Sequence, residues 1–173
     1  MKNIIMDKVA IKRAISRISF EIIEKNKGTE DIVLVGIITR GKNIADRIAD
    51  KIKEVEGINL PVYSIDITNY RDDVDIKSTT KNPFKKSDIQ NKKIIIVDDV
   101  ISTGRSVRAA MEGVLEQGRP SSIQLVVLID RGHRELPIRP DYIGKNVPTS
   151  KVENVLVRLQ EVDNIDEVYI EKL

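Results

Sequence analysis

The chain contains no cysteine and no tryptophan, and only two phenylalanines, four tyrosines and one histidine. Without cysteine there is no disulfide, no thiolate metal centre and no thiol nucleophile, which suits a reducing compartment. His133 stands alone among arginines, which argues against a zinc site, and it carries no catalytic assignment. So few rings argue against an aromatic stacking platform for single-stranded nucleic acid. No apolar run approaches the roughly 20 residues that cross a bilayer, and Met1 to Lys8 is too charged for a signal peptide. The expectation is a soluble, cytoplasmic protein with no membrane partner.

What is present is ordinary for a globular protein: 173 residues, 40% hydrophobic and 32% charged. That is enough for one domain spanning residues 1–173. A net charge of +2 is too small to announce nucleic acid, but the charge is uneven. Between Arg131 and Lys151, Arg131, Arg134, Arg139, Lys145 and Lys151 face only Glu135 and Asp141. Beyond that, Glu153, Glu161, Asp163, Asp166, Glu167 and Glu171 outnumber Arg158 and Lys172, predicting a basic face and an acidic end.

Hydrophobic periodicity alternates between helix and strand. Ile11, Ile15, Ile18 and Ile22 mark an amphipathic first helix ending at Asn26-Lys27-Gly28. Ile32 to Ile38 is a β-branched run suited to a strand buried on both faces, broken by Thr39-Arg40-Gly41-Lys42. A helix through Ile44, Ile48, Ile52 and Val55 follows, then an alternating strand from Pro61 to Ile67. The polar stretch from Asn69 to Asn91 predicts a functional loop or extended hairpin. Ile94 to Val97 and Ile123 to Ile129 are further strands around a helix through Val107, Ala110, Met111, Val114 and Leu115. Val155 to Leu159 and Val168 to Ile170 are read as edge strands. This order predicts an α/β fold with a mainly parallel sheet flanked by helices.

One stretch concentrates chemistry. In Ile94 to Ser106, a buried strand runs into Asp98 and Asp99, and a loop of Ser102, Thr103 and Gly104 opens straight into a helix. Ligands bind beyond the carboxyl ends of strands in open α/β sheets, and a helix N-terminus there offers N–H groups and positive potential to a phosphate. Gly104 permits close backbone approach, and Thr103 and Ser106 add hydroxyl donors. The two carboxylates lie about one ribose away. Together these features predict a site for a ribose phosphate, of which 5-phosphoribosyl 1-pyrophosphate (PRPP) is one.

The segment resembles the PRPP-binding signature of the type I phosphoribosyltransferases, and the resemblance extends over nearly the whole chain. Thr39-Arg40-Gly41, Ile65 to Thr68, Tyr70 to Asp73, Gly118 to Ser122, Asp130 to Arg139 and Asp141 to Ser150 are similar to the bacterial family of pyrimidine operon attenuation regulators with uracil phosphoribosyltransferase activity. The resemblance implies a type I phosphoribosyltransferase fold with a small hood. It assigns Asp98 and Asp99 to the ribose, and Thr103, Gly104, Arg105 and Ser106 to the 5-phosphate. Thr39, Arg40 and Gly41 become a pyrophosphate loop, Arg71, Asp72 and Asp73 part of a flexible loop, and Arg131 the base side. It also implies Mg²⁺ bound through PRPP, with uracil, UMP and UTP as further ligands. A leader mRNA hairpin of a pyrimidine operon would lie against Ser16, Arg17, Lys25, Thr39, Arg134, Arg139 and Lys145, on a homodimer or larger homo-oligomer. Two departures stand out: Ser102 occupies a loop position expected to be aromatic, and Phe20 one where the family often has histidine.

Three rival readings remain. Gly36 to Asn43 nearly spells a nucleotide-triphosphatase phosphate loop, but Asn43 replaces the Ser or Thr whose hydroxyl binds Mg²⁺. An RNA-binding sensor without turnover and a purine phosphoribosyltransferase are the others.

Overall fold

The computed structural model describes residues 1–72 and 81–173. Five strands form one parallel sheet in the order β3-β2-β4-β5-β6: β2 (Ile32–Ile37), β3 (Val62–Ile65), β4 (Lys93–Ile101), β5 (Ser122–Asp130) and β6 (Tyr142–Asn146). Successive side chains point to opposite faces of a strand, so each isoleucine run feeds two cores. Ile95 and Val97 pack with Ile11, Ile18 and Ile22 of α1 (Lys8–Lys25) and Ile44, Ile48 and Ile52 of α2 (Arg40–Glu56). Ile94 and Ile96 pack on the other face with Val107, Ala110 and Val114 of α4 (Arg105–Gln117). Hence β2 sends its helix to one face of the sheet, while its neighbour β4 sends its helix to the other. A crevice opens between the two strand ends, which is where such sheets bind ligands.

The terminal segments do not extend this sheet. The strands expected near Val155 and Val168 are β7 (Glu153–Arg158) and β8 (Glu167–Lys172), and both belong to a separate antiparallel sheet completed by β1 (Asn3–Met6) in the order β1-β8-β7. This sheet is the hood, and Val155, Val157, Leu159 and Val168 join the α1–α2 core. Of the polar stretch from Asn69 to Asn91, residues 73–80 lie outside the described residues, and the flanks are structured. A 3-10 turn covers Thr68–Tyr70, Phe84 and Ile89 are buried, and α3 (Lys86–Ile89) closes the stretch.

The hood is also tied to α2 by charge. Arg47 donates to both carboxylate oxygens of Glu161 (2.8 and 2.6 Å) and of Asp166 (3.2 and 2.7 Å), around the short helix α5 (Gln160–Asp163). The Arg47 guanidinium holds Glu161 below the usual carboxylate range; Asp166, although burial opposes it, is also held low by Arg47 and by the N–H of Gln160. A depressed carboxylate stabilises the fold above its unfolded-state pKa of about 4, and the contribution fades as pH falls through the lower folded value. Arg47→Ala should cost about 2 kcal/mol at pH 7, a fall in Tm on the order of 5 °C. The gap between parent and variant melting curves should narrow as the pH is lowered toward about 3.

Candidate functional site

Strand β4 is longer than the run of isoleucines suggests. It continues through both acids to Ile101, because β5 pairs with it as far as Ile101↔Asp130, whereas β2 pairs only as far as Gly36↔Val97. Asp98 and Asp99 therefore sit within a strand that has lost its neighbour on one side. Alternation buries Asp98, at 7% exposure, and leaves Asp99 half-buried. Asp98 accepts from the N–H of Asp99 at 2.9 Å, and Asp99 from that of Val100 at 2.8 Å. Burial, and then the charge of Asp99, push the Asp98 carboxyl well above the ordinary carboxylate range.

The open side of β4 faces a cavity of about 550 Å³ lined by Thr39, Arg40, Asp98, Asp99, Ser106 and Arg71, with Asp66, Ile67 and Thr68 completing the wall. The sequence reading put the first six of these, from three separate segments, in one site, and all six line this cavity. It did not single out Asp66 and Thr68. Asp66 accepts from the Thr68 N–H (3.0 Å) and hydroxyl (2.6 Å), a turn that Asp-x-Thr after a strand does spell locally. Asp73 lies outside the described residues.

Gly41 acts through its backbone. A methyl group on it would meet the Val97 carbonyl oxygen at 2.4 Å, and one on Gly36 would meet the Lys42 Cα at 2.4 Å. These two glycines let the start of α2 press against the ends of β2 and β4, which fixes the distance between the two candidate loops. The Ile38–Thr39 peptide between them is cis. Lys42 pairs with Asp46 at 2.8 Å on its own helix, which removes the lysine that a nucleotide-triphosphatase loop would need.

On the other side of the cavity, Gly104 adopts φ 93° at the N-cap of α4, a conformation that side chains disfavour, and Thr103 Oγ1 accepts from the Arg105 N–H at 3.2 Å. The first turn of a helix leaves N–H groups without intrahelical partners, and Ser106 in that turn lines the cavity. The Arg105 side chain turns away, donating to Asp72 at 2.8 Å, with Glu135 at 3.6 Å. Thr103 and Arg131 line a separate concavity of about 460 Å³ with His133, Arg134, Glu135 and Lys151. Arg131 bonds Thr149, Asn154 and the Glu153 carbonyl, so it ties β5 to the hood.

The cations expected on a basic face divide in two. Arg17 donates to the Ile143 and Gly144 carbonyls and to Glu21, Lys25 pairs with Asp141, and Arg134 clamps Asp130 and the Ser102 and Ile138 carbonyls. These contacts brace the fold. Arg139 and Lys145 are exposed, and their side chains form no hydrogen bond among the described residues.

Comparison with known proteins agrees with this geometry. Residues 2–161 match the model of the phosphoribosyl transferase domain. The chain is 56% identical to the bifunctional protein PyrR of Halalkalibacterium halodurans, over 99% of this chain and 98% of that protein. It is 54% identical to the bifunctional protein of the same name from Enterococcus faecalis, over 99% and 97%. Among solved structures, the hypoxanthine phosphoribosyltransferase of Trypanosoma cruzi superposes with a TM-score of 0.77 at 16% identity, covering 98% of this chain and 96% of that one. The Staphylococcus aureus enzyme of that name gives 0.75 at 18%, covering 96% and 90%. Those two establish a shared fold.

Gly41→Ala should destabilise the protein by about 1–3 kcal/mol through overpacking against β4 and weaken ligand binding on both sides of the cavity. Thermal melting, and titration with inorganic phosphate and pyrophosphate, would check this. A variant that melts like the parent and binds both anions normally would show that the loop spacing does not depend on this contact.

Proposed function

Because the chain belongs to the phosphoribosyl transferase domain family, and within it to the family of PyrR bifunctional proteins, we propose that it transfers the phosphoribosyl group of PRPP to uracil, giving UMP and pyrophosphate, and that in the cytoplasm it also binds a pyrimidine operon leader hairpin when a uridine nucleotide occupies the same pocket. The observation that carries the reading is the cavity between β2 and β4, where an acid pair, an arginine at one helix start and a hydroxyl at another line a single wall.

The reaction displaces pyrophosphate at the anomeric carbon, and positive charge develops on the ribose. It calls for positioning and electrostatic stabilisation more than for covalent chemistry. Asp98 and Asp99 accept hydrogen bonds from the ribose hydroxyls and lie where that charge develops. The first turn of α4, with Ser106, seats the 5-phosphate. Thr39 and Arg40 face the leaving group, and Arg71 lines the same wall.

The donor set fits Mg²⁺ brought in by the substrate. Asp98 and Asp99 share the wall, and an ion that dehydrates reluctantly would keep phosphate and water oxygens beside two such carboxylates. Mg²⁺ would neutralise charge on the pyrophosphate.

For RNA, the exposed Arg139 and Lys145 are the best-placed cations, on a symmetric homo-oligomer whose copies enlarge the basic surface. Thr39 and Ser16 lie at the surface or partly exposed and would add polar contacts.

With PRPP and Mg²⁺ supplied, uracil alone among the nucleobases should yield a nucleotide and pyrophosphate. Binding without product would reduce the protein to a nucleotide sensor, and product from hypoxanthine would make it a purine enzyme. Asp98→Asn combined with Asp99→Asn should weaken PRPP binding by at least about a hundredfold; undiminished affinity would overturn the site. In RNA titrations across salt, Arg139→Ala and Lys145→Ala should each lower the slope of log K against log salt by about one unit. Arg134→Ala should lower thermal stability instead.

A further inference from the structure

Arg40 is the first residue of α2, where the positive end of the helix dipole makes a cation costly, and no acidic residue stands in that first turn. Its counter-charge comes from 123 positions away. Asp163, at the end of α5 in the hood, accepts from Arg40 Nε at 3.1 Å and Nη2 at 2.8 Å. The same carboxylate accepts from the Leu159 N–H at 2.8 Å, so it is itself fixed by the hood backbone.

A guanidinium has five N–H groups arranged as two forks. Asp163 occupies the Nε/Nη2 edge. The Nη1/Nη2 edge makes no hydrogen bond among the described residues, and Arg40 forms part of the cavity wall that also holds Asp99. One fork is clamped, and the plane and direction of the other are thereby set.

We propose that Asp163 is a positioning residue for the leaving group: by gripping one edge of Arg40 from the hood, it presents the other edge, already oriented, to the pyrophosphate oxygens of the substrate. A flexible arginine would otherwise lose rotamer freedom on binding, and pre-orientation removes that cost. The inference deepens the reading of Thr39-Arg40-Gly41 as the pyrophosphate loop and rests on it.

The experiment is calorimetric titration of the intact protein with Mg²⁺-pyrophosphate and, separately, with UMP. It is supported by steady-state kinetics in PRPP and in uracil. Asp163→Ala and Asp163→Asn should each weaken pyrophosphate roughly tenfold and raise the KM for PRPP by a similar factor. UMP affinity and the KM for uracil should stay close to the parent values. The Asn variant keeps an acceptor for Leu159, which preserves the hood turn. Asp166→Asn loosens the hood at Arg47 without touching Arg40 and should leave pyrophosphate affinity alone. Arg40→Ala should weaken pyrophosphate, and adding Asp163→Ala to it should do no further harm.

Parent-like pyrophosphate binding by both Asp163 variants, with Arg40→Ala impaired, would overturn the positioning role alone. Equal losses in the Asp163 and Asp166 variants would do the same, by showing that any loosening of the hood suffices. Normal pyrophosphate binding by Arg40→Ala would overturn the pyrophosphate-loop reading and the positioning role together.

Discussion

The structure turns on the close approach of the start of α2 to the ends of β2 and β4. Gly36 and Gly41 leave no room for a side chain between those backbones, and the contact sits where neighbouring strands send their helices to opposite faces of the sheet. The crevice follows from that divergence; its dimensions follow from the contact. The proposed phosphate and pyrophosphate ends of this pocket would need a fixed span, and close backbone packing resists deformation.

Charge is distributed about this crevice by the same geometry. Because β4 outruns β2, one aspartate is buried and the next half-buried, and burial raises the Asp98 carboxyl well above its usual range. Such a group costs stability in the empty protein, a trade familiar at sites shaped for a ligand. The opposite sign is concentrated at α2, where Arg40 and Arg47 both reach into the hood and meet Asp163, Glu161 and Asp166. The acidic end of the sequence thus supplies the counter-charge of α2, and the hood is fastened by it.

Much of the architecture was legible locally. Runs such as Ile94 to Val97 can be buried on two faces only in a covered sheet, and Ile11, Ile15, Ile18 and Ile22 can share one surface only on a helix. Strands β1 and β6 escaped because four or five residues carry too little periodicity to be told from loop. The true length of β4 escaped because it is set by pairing with β5. The hood was misread as sheet edge, since the pairing Asn3↔Ile170 joins the two ends of the chain and no local pattern encodes it.

The sequence by itself determined the strand–helix alternation and the acid pair before a glycine-led helix. Each depends on neighbours within a few positions, where sterics and hydrogen bonding act directly. That Thr39 and Arg40 share a cavity wall with Asp98, Asp99 and Ser106 was expected from resemblance and depends on the fold. Tertiary structure alone decided which cations brace the fold and which stay in solvent, why Arg131 and Arg134 are bound inward while Arg139 is not, and that Asp163 answers Arg40. Those outcomes depend on distances between groups far apart in the chain, and such distances exist only once the two cores have closed around the sheet.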